Sequence, residues 1–266
     1  MTHSKFENKV VWITGASSGI GEALAKHFAA KKSRLVLSAR RESELNRVAG
    51  LCSGAQSVVV LPLDLAKPDS MADAVRTMIA REGYVDVMVH NAGVSQRAFA
   101  ADTAYEVDEL IMRTNYLSPV ALTKALLPSM RARRQGYFIV VSSVLGKLGL
   151  PGRSAYCASK HALHGFFDTL RAEVANENIH VTVVVPGWVQ TNVSINALTG
   201  NGAPQQRMDS ATATGFTPEV CAARIMAAAE KNQAELNVVA LKENGVLYLQ
   251  RVAPWLVRRL TRGRAI

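Results

Sequence analysis

Lys9-Val10-Val11-Trp12-Ile13-Thr14-Gly15-Ala16-Ser17-Ser18-Gly19-Ile20-Gly21 is the stretch that decides the fold. After Lys9 it opens on an apolar, β-branched run, the pattern of a parallel strand buried on both faces. A glycine-rich turn follows at once, and Glu22 to Lys32 then has helical spacing, with Leu24 and Phe28 on one face. Strand, glycine turn and helix in that order make a phosphate site. The glycines let backbone approach a pyrophosphate, and the helix N-terminus offers N–H donors and the positive end of its dipole. A glycine spacing alone is a weak signal, but its place between a strand and a helix strengthens it.

Outward from that unit the pattern repeats. Arg34–Ser38, Ser57–Leu61, Val85–Val89, Tyr137–Ser143, Ile179–Val185 and Glu235–Ala240 read as strands. Helical stretches begin at Glu42 and run over 68–81, 104–134, 156–176 and 218–231. This alternation predicts an α/β fold in one domain: a Rossmann-type doubly wound sheet of about seven parallel strands flanked by helices. The stretch 104–134 contains Asn115 and Pro119, and a proline inside a helix predicts a kink with Asn115 one turn before it. The expected catalytic domain spans 1–245, and 246–266 reads as a basic amphipathic tail. Within the domain, 192–217 is rich in Gly, Asn, Thr, Ser and Ala; a long weakly periodic stretch in a compact domain reads as a substrate lid, the bland alternative being a surface excursion.

Composition bounds the rest. The chain has 266 residues, 48% of them apolar and 20% charged, a globular composition with ample material for a core. No run approaches the ~20 apolar residues of a membrane span. The polar start Met1-Thr2-His3-Ser4-Lys5 carries no secretory signal, so the expected location is cytoplasmic. Cys52, Cys157 and Cys221 lack pairing or metal-ligand spacing, which suits free thiols in a reducing compartment. Net charge is +10. From Gln250 to Ile266 the basic residues are Arg251, Arg258, Arg259, Arg262 and Arg264, with no acid among them, so half the excess sits in the tail. A basic stripe interleaved with aromatics across the fold is absent, and no nucleic-acid partner is expected.

Two further places carry chemistry. The second strand ends in Ser38-Ala39-Arg40-Arg41, where an acid would bind two ribose hydroxyls and an arginine accommodates a 2′-phosphate; NADP(H) is expected over NAD(H). The bland reading is two exposed arginines opening a helix. Tyr156 and Lys160 stand four apart on a predicted helix and share a face. A cation so placed favours the phenolate and lowers the tyrosine pKa, although most such pairs are solvated and inert. Ser142 and Ser143 end the fifth strand, at the edge where open α/β sheets carry their sites. His161 and His164 are a helical pair without a third ligand in view, so they read as packing, no metal is expected, and Cys157 reads as a small buried side chain.

Thr14-Gly15-Ala16-Ser17-Ser18-Gly19-Ile20-Gly21, His90-Asn91-Ala92-Gly93, Ser143, Tyr156-x-x-x-Lys160 and Pro186-Gly187, in this order, resemble the short-chain dehydrogenase/reductase family from about Lys9 to about Ala240. Ser143 lies thirteen positions before Tyr156 (156 − 143), the family's catalytic spacing. The resemblance implies that Tyr156 is the general acid or base, that Lys160 lowers its pKa and binds the nicotinamide ribose, and that Ser143 bonds the substrate oxygen. Asn115 matches the asparagine that holds a water linking Lys160 to solvent. Gly15, Ser17, Ser18, Gly19, Ile20 and Gly21 match the cofactor loop. Arg40 with Arg41 matches the 2′-phosphate position, Asp64 with Leu65 the adenine contact, and Asn91, Ala92 and Gly93 the wall behind the adenosine. Pro186, Gly187, Val189 and Thr191 match the stretch along the nicotinamide. His90 departs from the family's usual Asn and reads as packing.

The implied function is hydride transfer between NADP(H) and a ketone or secondary alcohol. A weaker resemblance, over 186–218, points to the acyl-dihydroxyacetone-phosphate reductase-like and hydroxysteroid-dehydrogenase-like subgroup and hence to apolar or lipid-like substrates. Leu145, Leu148, Leu150 and Trp188 fit either an apolar substrate pocket or the core. In the tail, Leu249, Val252, Leu256 and Leu260 can share a face with Arg251, Arg258 and Arg262 on another, which suits peripheral contact with an anionic membrane; Pro254 interrupts it, and packing on the chain itself or on a neighbouring subunit is the bland alternative. A homodimer or homotetramer is expected by resemblance alone. The rival readings are a non-catalytic NADP-binding regulator on the same fold, which usually lacks a catalytic residue, and a sugar-nucleotide epimerase, which usually carries a larger substrate domain.

Overall fold

The computed structural model describes residues 4–262. Arg264 of the basic tail and Met1–His3 lie outside them. Seven strands form one parallel sheet: β1 Val10–Thr14, β2 Arg34–Ser38, β3 Ser57–Val60, β4 Val87–His90, β5 Gly136–Val141, β6 Ile179–Pro186 and β7 Glu235–Val238. Their spatial order is β3-β2-β1-β4-β5-β6-β7. The order reverses between β1 and β4, and a crevice opens there at the carboxyl ends of the strands.

Helices cover both faces: α1 Gly19–Ala30, α2 Glu42–Gly50, α3 Met71–Glu82, α4 Tyr105–Met112, α5 Ser118–Arg133, α6 Ser154–Glu173, α7 Ser210–Ala213, α8 Pro218–Glu230, α9 Leu241–Val252 and α10 Pro254–Thr261. The period of two along β1 assigns its residues to two cores. Val11 and Ile13 pack with Leu24 and Phe28 of α1 and Ile225 of α8. Val10 and Trp12 pack with Met71 of α3, Leu122 of α5 and Phe167 of α6. The buried Trp12 Nε1 donates to Ser38 Oγ at 2.8 Å, so this large ring enters the core without an unpaired donor.

Several elements differ from expectation. The stretch 104–134 is not one kinked helix but α4, a π-helical turn over Arg113–Leu117, and α5. Pro119 has no N–H to give to the Asn115 carbonyl four residues back. Ser118 N instead reaches Arg113 O, the i→i−5 pairing of a π turn. Pro128 lies inside α5, where the sequence reading placed no break. The expected helix 68–81 begins as a 3₁₀ turn over Pro68–Ser70 before α3.

Residues 192–217 are largely irregular, with one short helix, α7. They are tied down at several points: Leu198 N donates to Ser95 O at 2.8 Å and Arg97 N to Leu198 O at 2.7 Å. At the C-terminal end, α9 runs without a break through the expected boundary between 245 and 246. Leu247 packs with Val144, Leu145, Cys157 and Val185, and Val257 of α10 is buried. Leu241, Tyr248, Val252, Trp255 and Leu260 stay exposed. The tail is therefore partly docked on its own chain. Among the described residues no helix is long and apolar enough to cross a membrane.

Candidate active site

A cavity of about 670 Å³ lies along the crevice and gathers most of the residues singled out in the sequence. At one end are Gly15, Ser17, Ser18, Gly19 and Ile20, with Arg40 and Arg41 after β2, Asp64 and Leu65 after β3, and Asn91, Ala92 and Gly93 after β4. Ser143, Leu145, Tyr156 and Lys160 complete the wall with Pro186, the last residue of β6, and Gly187, Trp188, Val189 and Thr191 from the segment after it. Every one of these except Tyr156 and Lys160, which α6 carries, lies at the carboxyl end of a strand, in the loop that follows it, or in the turn that opens α1.

Four of the candidate residues do not line the cavity. Gly21 supports it from below: a Cβ there would stand 2.3 Å from Gly15 O. Gly15 itself has φ +66°, a conformation that favours glycine. Asn91 fastens this turn, with Nδ2 donating to Thr14 O at 3.0 Å and Gly15 O at 3.2 Å. Asn115 is buried behind Gly93. Its Nδ2 donates to Val94 O at 2.9 Å and Ser159 Oγ at 3.0 Å, and its Oδ1 accepts from Val94 N at 2.9 Å. Leu150, expected among the substrate contacts, packs with Leu148 against the cluster of Val144, Leu145, Cys157 and Val185. Of the four apolar candidates, Leu145 and Trp188 face the cavity and Leu148 and Leu150 belong to the core.

Tyr156 and Ser143 line the same stretch of the cavity, and the Ser143 hydroxyl is near enough to act on the Tyr156 phenol. Ser143 Oγ accepts from Leu145 N at 3.1 Å, which sets the serine side chain at the end of β5. Ser142 points elsewhere, its Oγ meeting His164 Nε2 at 3.0 Å. Lys160 is buried, and its Nζ donates to Val141 O at 2.9 Å. Burial lowers the Lys160 pKa to about 8, so the ammonium is easily discharged. Burial also pushes the Tyr156 phenol above its ordinary value, and the bond from Ser143 and the charges of Arg97 and Arg153 pull against it. Desolvation of the ring outweighs the charges, and the ammonium is held on the Val141 carbonyl.

His90 is packing: it is buried, stacks on Phe138 with centroids 6.2 Å apart, and meets Thr123 Oγ1 at 2.9 Å. His161 Nδ1 meets Cys157 O at 2.8 Å rather than converging with His164. Sequence reasoning missed Arg97 and Arg153, both of which are buried and line the cavity. Both bridge to Asp209 in the 192–217 segment. The signal was available: Arg97 sits four residues past Gly93 in the loop after β4, and Arg153 three residues before Tyr156.

Chemically, the site offers two hydroxyl groups on one cavity wall, a buried ammonium, and a glycine turn at a helix N-terminus. That set can stabilise negative charge on an oxygen and deliver a proton to it. The model for the family described as short chain dehydrogenase matches residues 9–201. The chain is 44% identical over 261 residues to "Dehydrogenase/reductase SDR family protein 7-like" of Anopheles gambiae, covering 94% of this chain and 82% of that protein. It is 44% identical over 265 residues to "Dehydrogenase/reductase SDR family member 7B" of Bos taurus, covering 97% of this chain and 82% of that protein. Its fold matches a short chain dehydrogenase/reductase from Burkholderia phymatum, solved in complex with NAD, with a TM-score of 0.86 at 21% identity over the whole of both chains. By matching motif, length and fold together, the chain belongs to the short-chain dehydrogenase family of oxidoreductases.

Proposed function

We propose that this protein is an NADP(H)-dependent carbonyl reductase that interconverts a ketone and a secondary alcohol. The observation that carries the reading is that Ser143, Tyr156 and the buried Lys160 line one cavity with the glycine turn. The residues present fit a dinucleotide. The turn at 15–21 has no side chains at its close approaches, and the N-terminus of α1 faces the cavity through Gly19 and Ile20. Asp64, Leu65, Asn91, Ala92 and Gly93 would hold the adenosine, and Pro186, Gly187, Val189 and Thr191 the nicotinamide. Arg40 and Arg41 are exposed at the rim and, among the described residues, pair with no carboxylate, which supports a 2′-phosphate there. When bound, the nicotinamide supplies or accepts the hydride.

The chain's own part is to place and charge the substrate oxygen. Leu145 N anchors Ser143 Oγ, and the Ser143 O–H turns from Tyr156 to the substrate oxygen when substrate binds. Tyr156 gives up its proton as negative charge builds on the oxygen, and Lys160 stabilises the phenolate left behind. Asn115 acts through Ser159, one residue before Lys160, and through the Val94 backbone. The segment 192–217 is the substrate lid, contributing Asn192, Val193, Asn196 and Leu198 to the wall. NADPH consumption with a panel of steroid, lipid-phosphate and small aromatic ketones, run in parallel with NADH, tests this reading. No oxidation of either cofactor with any ketone would contradict it.

The exposed stripe of α9 and α10 supports a second part of the proposal, peripheral contact with an anionic membrane. Leu241, Tyr248 and Val252 recur at i, i+7 and i+11, one line along α9. Arg251, Arg258, Arg259 and Arg262 flank it, and the acid Glu243 is turned in to accept from Ala240 N at 2.7 Å. A second copy would set like charges against each other, whereas a lipid surface complements them. By analogy with the family, a homodimer or homotetramer forms elsewhere on the molecule.

A further inference from the structure

The cavity wall near Tyr156 carries more positive charge than the fold neutralises. Arg97 and Arg153 both line it, with side chains only 5% and 6% exposed. Tyr156 lines the same cavity, so both guanidinium groups share the wall with the reacting hydroxyl. Arg97 is fully engaged. Its Nε donates to Asp209 Oδ2 at 2.9 Å, its Nη2 pairs with the same oxygen, and its Nη1 donates to Ser95 Oγ and Gln96 O at 2.7 Å each.

Arg153 is not. Its Nη1 donates to Gly152 O at 3.1 Å, and its Nη2 stands 3.7 Å from Asp209 Oδ2, beyond a hydrogen bond. The other Asp209 oxygen accepts from Gln205 Nε2 at 3.1 Å. One carboxylate thus serves two guanidinium groups and is spent on Arg97. If Arg153 were only a latch for the 192–217 segment, it would sit at bonding distance from Asp209, as Arg97 does. A buried guanidinium with donors to spare, on a cavity wall, is an anion site lacking only its anion. Leu110, Leu145, Trp188 and Leu198 line the same cavity and give that ligand an apolar body.

We propose that Arg153, backed by Arg97, binds a carboxylate or phosphate group of the substrate, so that the substrate is an amphiphilic ketone carrying an anion near its carbonyl. This rests on the reading of Tyr156 as the proton donor to a ketone. The anion is the specificity element, and the apolar wall holds the remainder.

Two measurements on the full chain test it separately from that reading. The first is calorimetric binding of hexanoate, hexyl phosphate and 1-hexanol to protein saturated with NADP⁺, so that the cofactor's own phosphate site is filled. At least one anion should bind about ten-fold or more tightly than hexanol, the advantage of a charged hydrogen bond. Arg153→Gln should erase that excess and Arg153→Lys should retain part of it. Which anion binds tells a carboxylate site from a phosphate site. Equal binding of all three probes, or anion binding unchanged in Arg153→Gln, overturns the proposal. The second is the ratio of kcat/KM for 4-oxopentanoate over its methyl ester. It should favour the acid, and Arg153→Gln should lower it about ten-fold. Because the ratio is internal to each variant, partial misfolding does not move it. Reduction of the ester with no anion preference leaves the reductase reading standing and overturns the anion site. Arg153-dependent anion binding without turnover of either ketone does the reverse.

Discussion

The Lys160 ammonium lies 5.7 Å from the centroid of the Tyr156 ring. Both groups are pressed by burial, but in opposite directions: Lys160 falls to about 8 while Tyr156 rises above its ordinary 10. In the reductive direction the cation is needed to stabilise the phenolate that forms. Lys160 is charged below about 8 and loses its proton above it, and Tyr156 stays protonated through that window. The expected outcome is a reductive kcat/KM that falls as pH passes about 8; a profile flat to about pH 9.5 would contradict it. For stability the sign is the other way. A lysine whose pKa is lowered in the fold costs stability while charged, and that cost is relieved as pH rises from about 8 to 10.5.

Asp209 ties the 192–217 segment to the loop after β4 through the buried Arg97. Burial opposes its charge, but the bonds from Arg97 and Gln205 outweigh burial and hold its pKa below the ordinary 3.8. Its contribution is therefore present above the ordinary carboxylate pKa and is lost as pH falls through the folded value. Asp209→Asn should cost about 3 kcal/mol in urea unfolding, the usual result of stripping one partner from a buried pair. It should also speed proteolysis between 192 and 217. A variant as stable and as protected as the parent would show that the segment is held by its backbone contacts alone.

The tail prediction has to spare the part that is docked. Because Leu247 packs against Leu145 and Cys157, and Glu243 lies against Gly187, cutting the chain at 245 would disturb the site. Tyr248→Ser with Trp255→Ser removes only exposed apolar surface. The parent should float with vesicles containing phosphatidylserine and not with pure phosphatidylcholine, and the double variant should float with neither. Equal, negligible flotation of parent and variant on both would remove the membrane contact from the account.

Arg40→Ser tests the cofactor. Loss of one charged hydrogen bond to a 2′-phosphate should weaken NADPH binding by ~10-fold or more and leave NADH binding almost unchanged. Equal effects on the two cofactors would move the phosphate contact away from Arg40.

Much of this was legible in the chain. Strands buried on both faces announce themselves as apolar runs, so β1, β2 and β6 were readable, and the glycine turn fixed the site's edge. Tyr156, Lys160 and Ser143 converge because strand-end loops and one helix N-terminus meet at a single crevice, which follows from the topology. Leu150 stayed open between pocket and core because a leucine facing a cavity and one facing a core look alike in sequence; only the packing against the cluster of Val144 and Cys157 separates them. Arg97 and Arg153 were missed for a different reason. Their meaning lies in Asp209, over fifty residues beyond either, and no local periodicity joins them. The π turn at Asn115 was half visible, since Pro119 signalled a lost hydrogen bond but not which residue would take up the slack.

The central claim is that Tyr156 delivers the proton, and replacing it by Phe removes one oxygen and little else. With a ketone that the parent reduces, Tyr156→Phe should lose at least ~100-fold in NADPH oxidation, the contribution of a general acid, while NADPH fluorescence titration gives an affinity close to that of the parent. Turnover retained at the parent's level with the cofactor still bound would contradict the account.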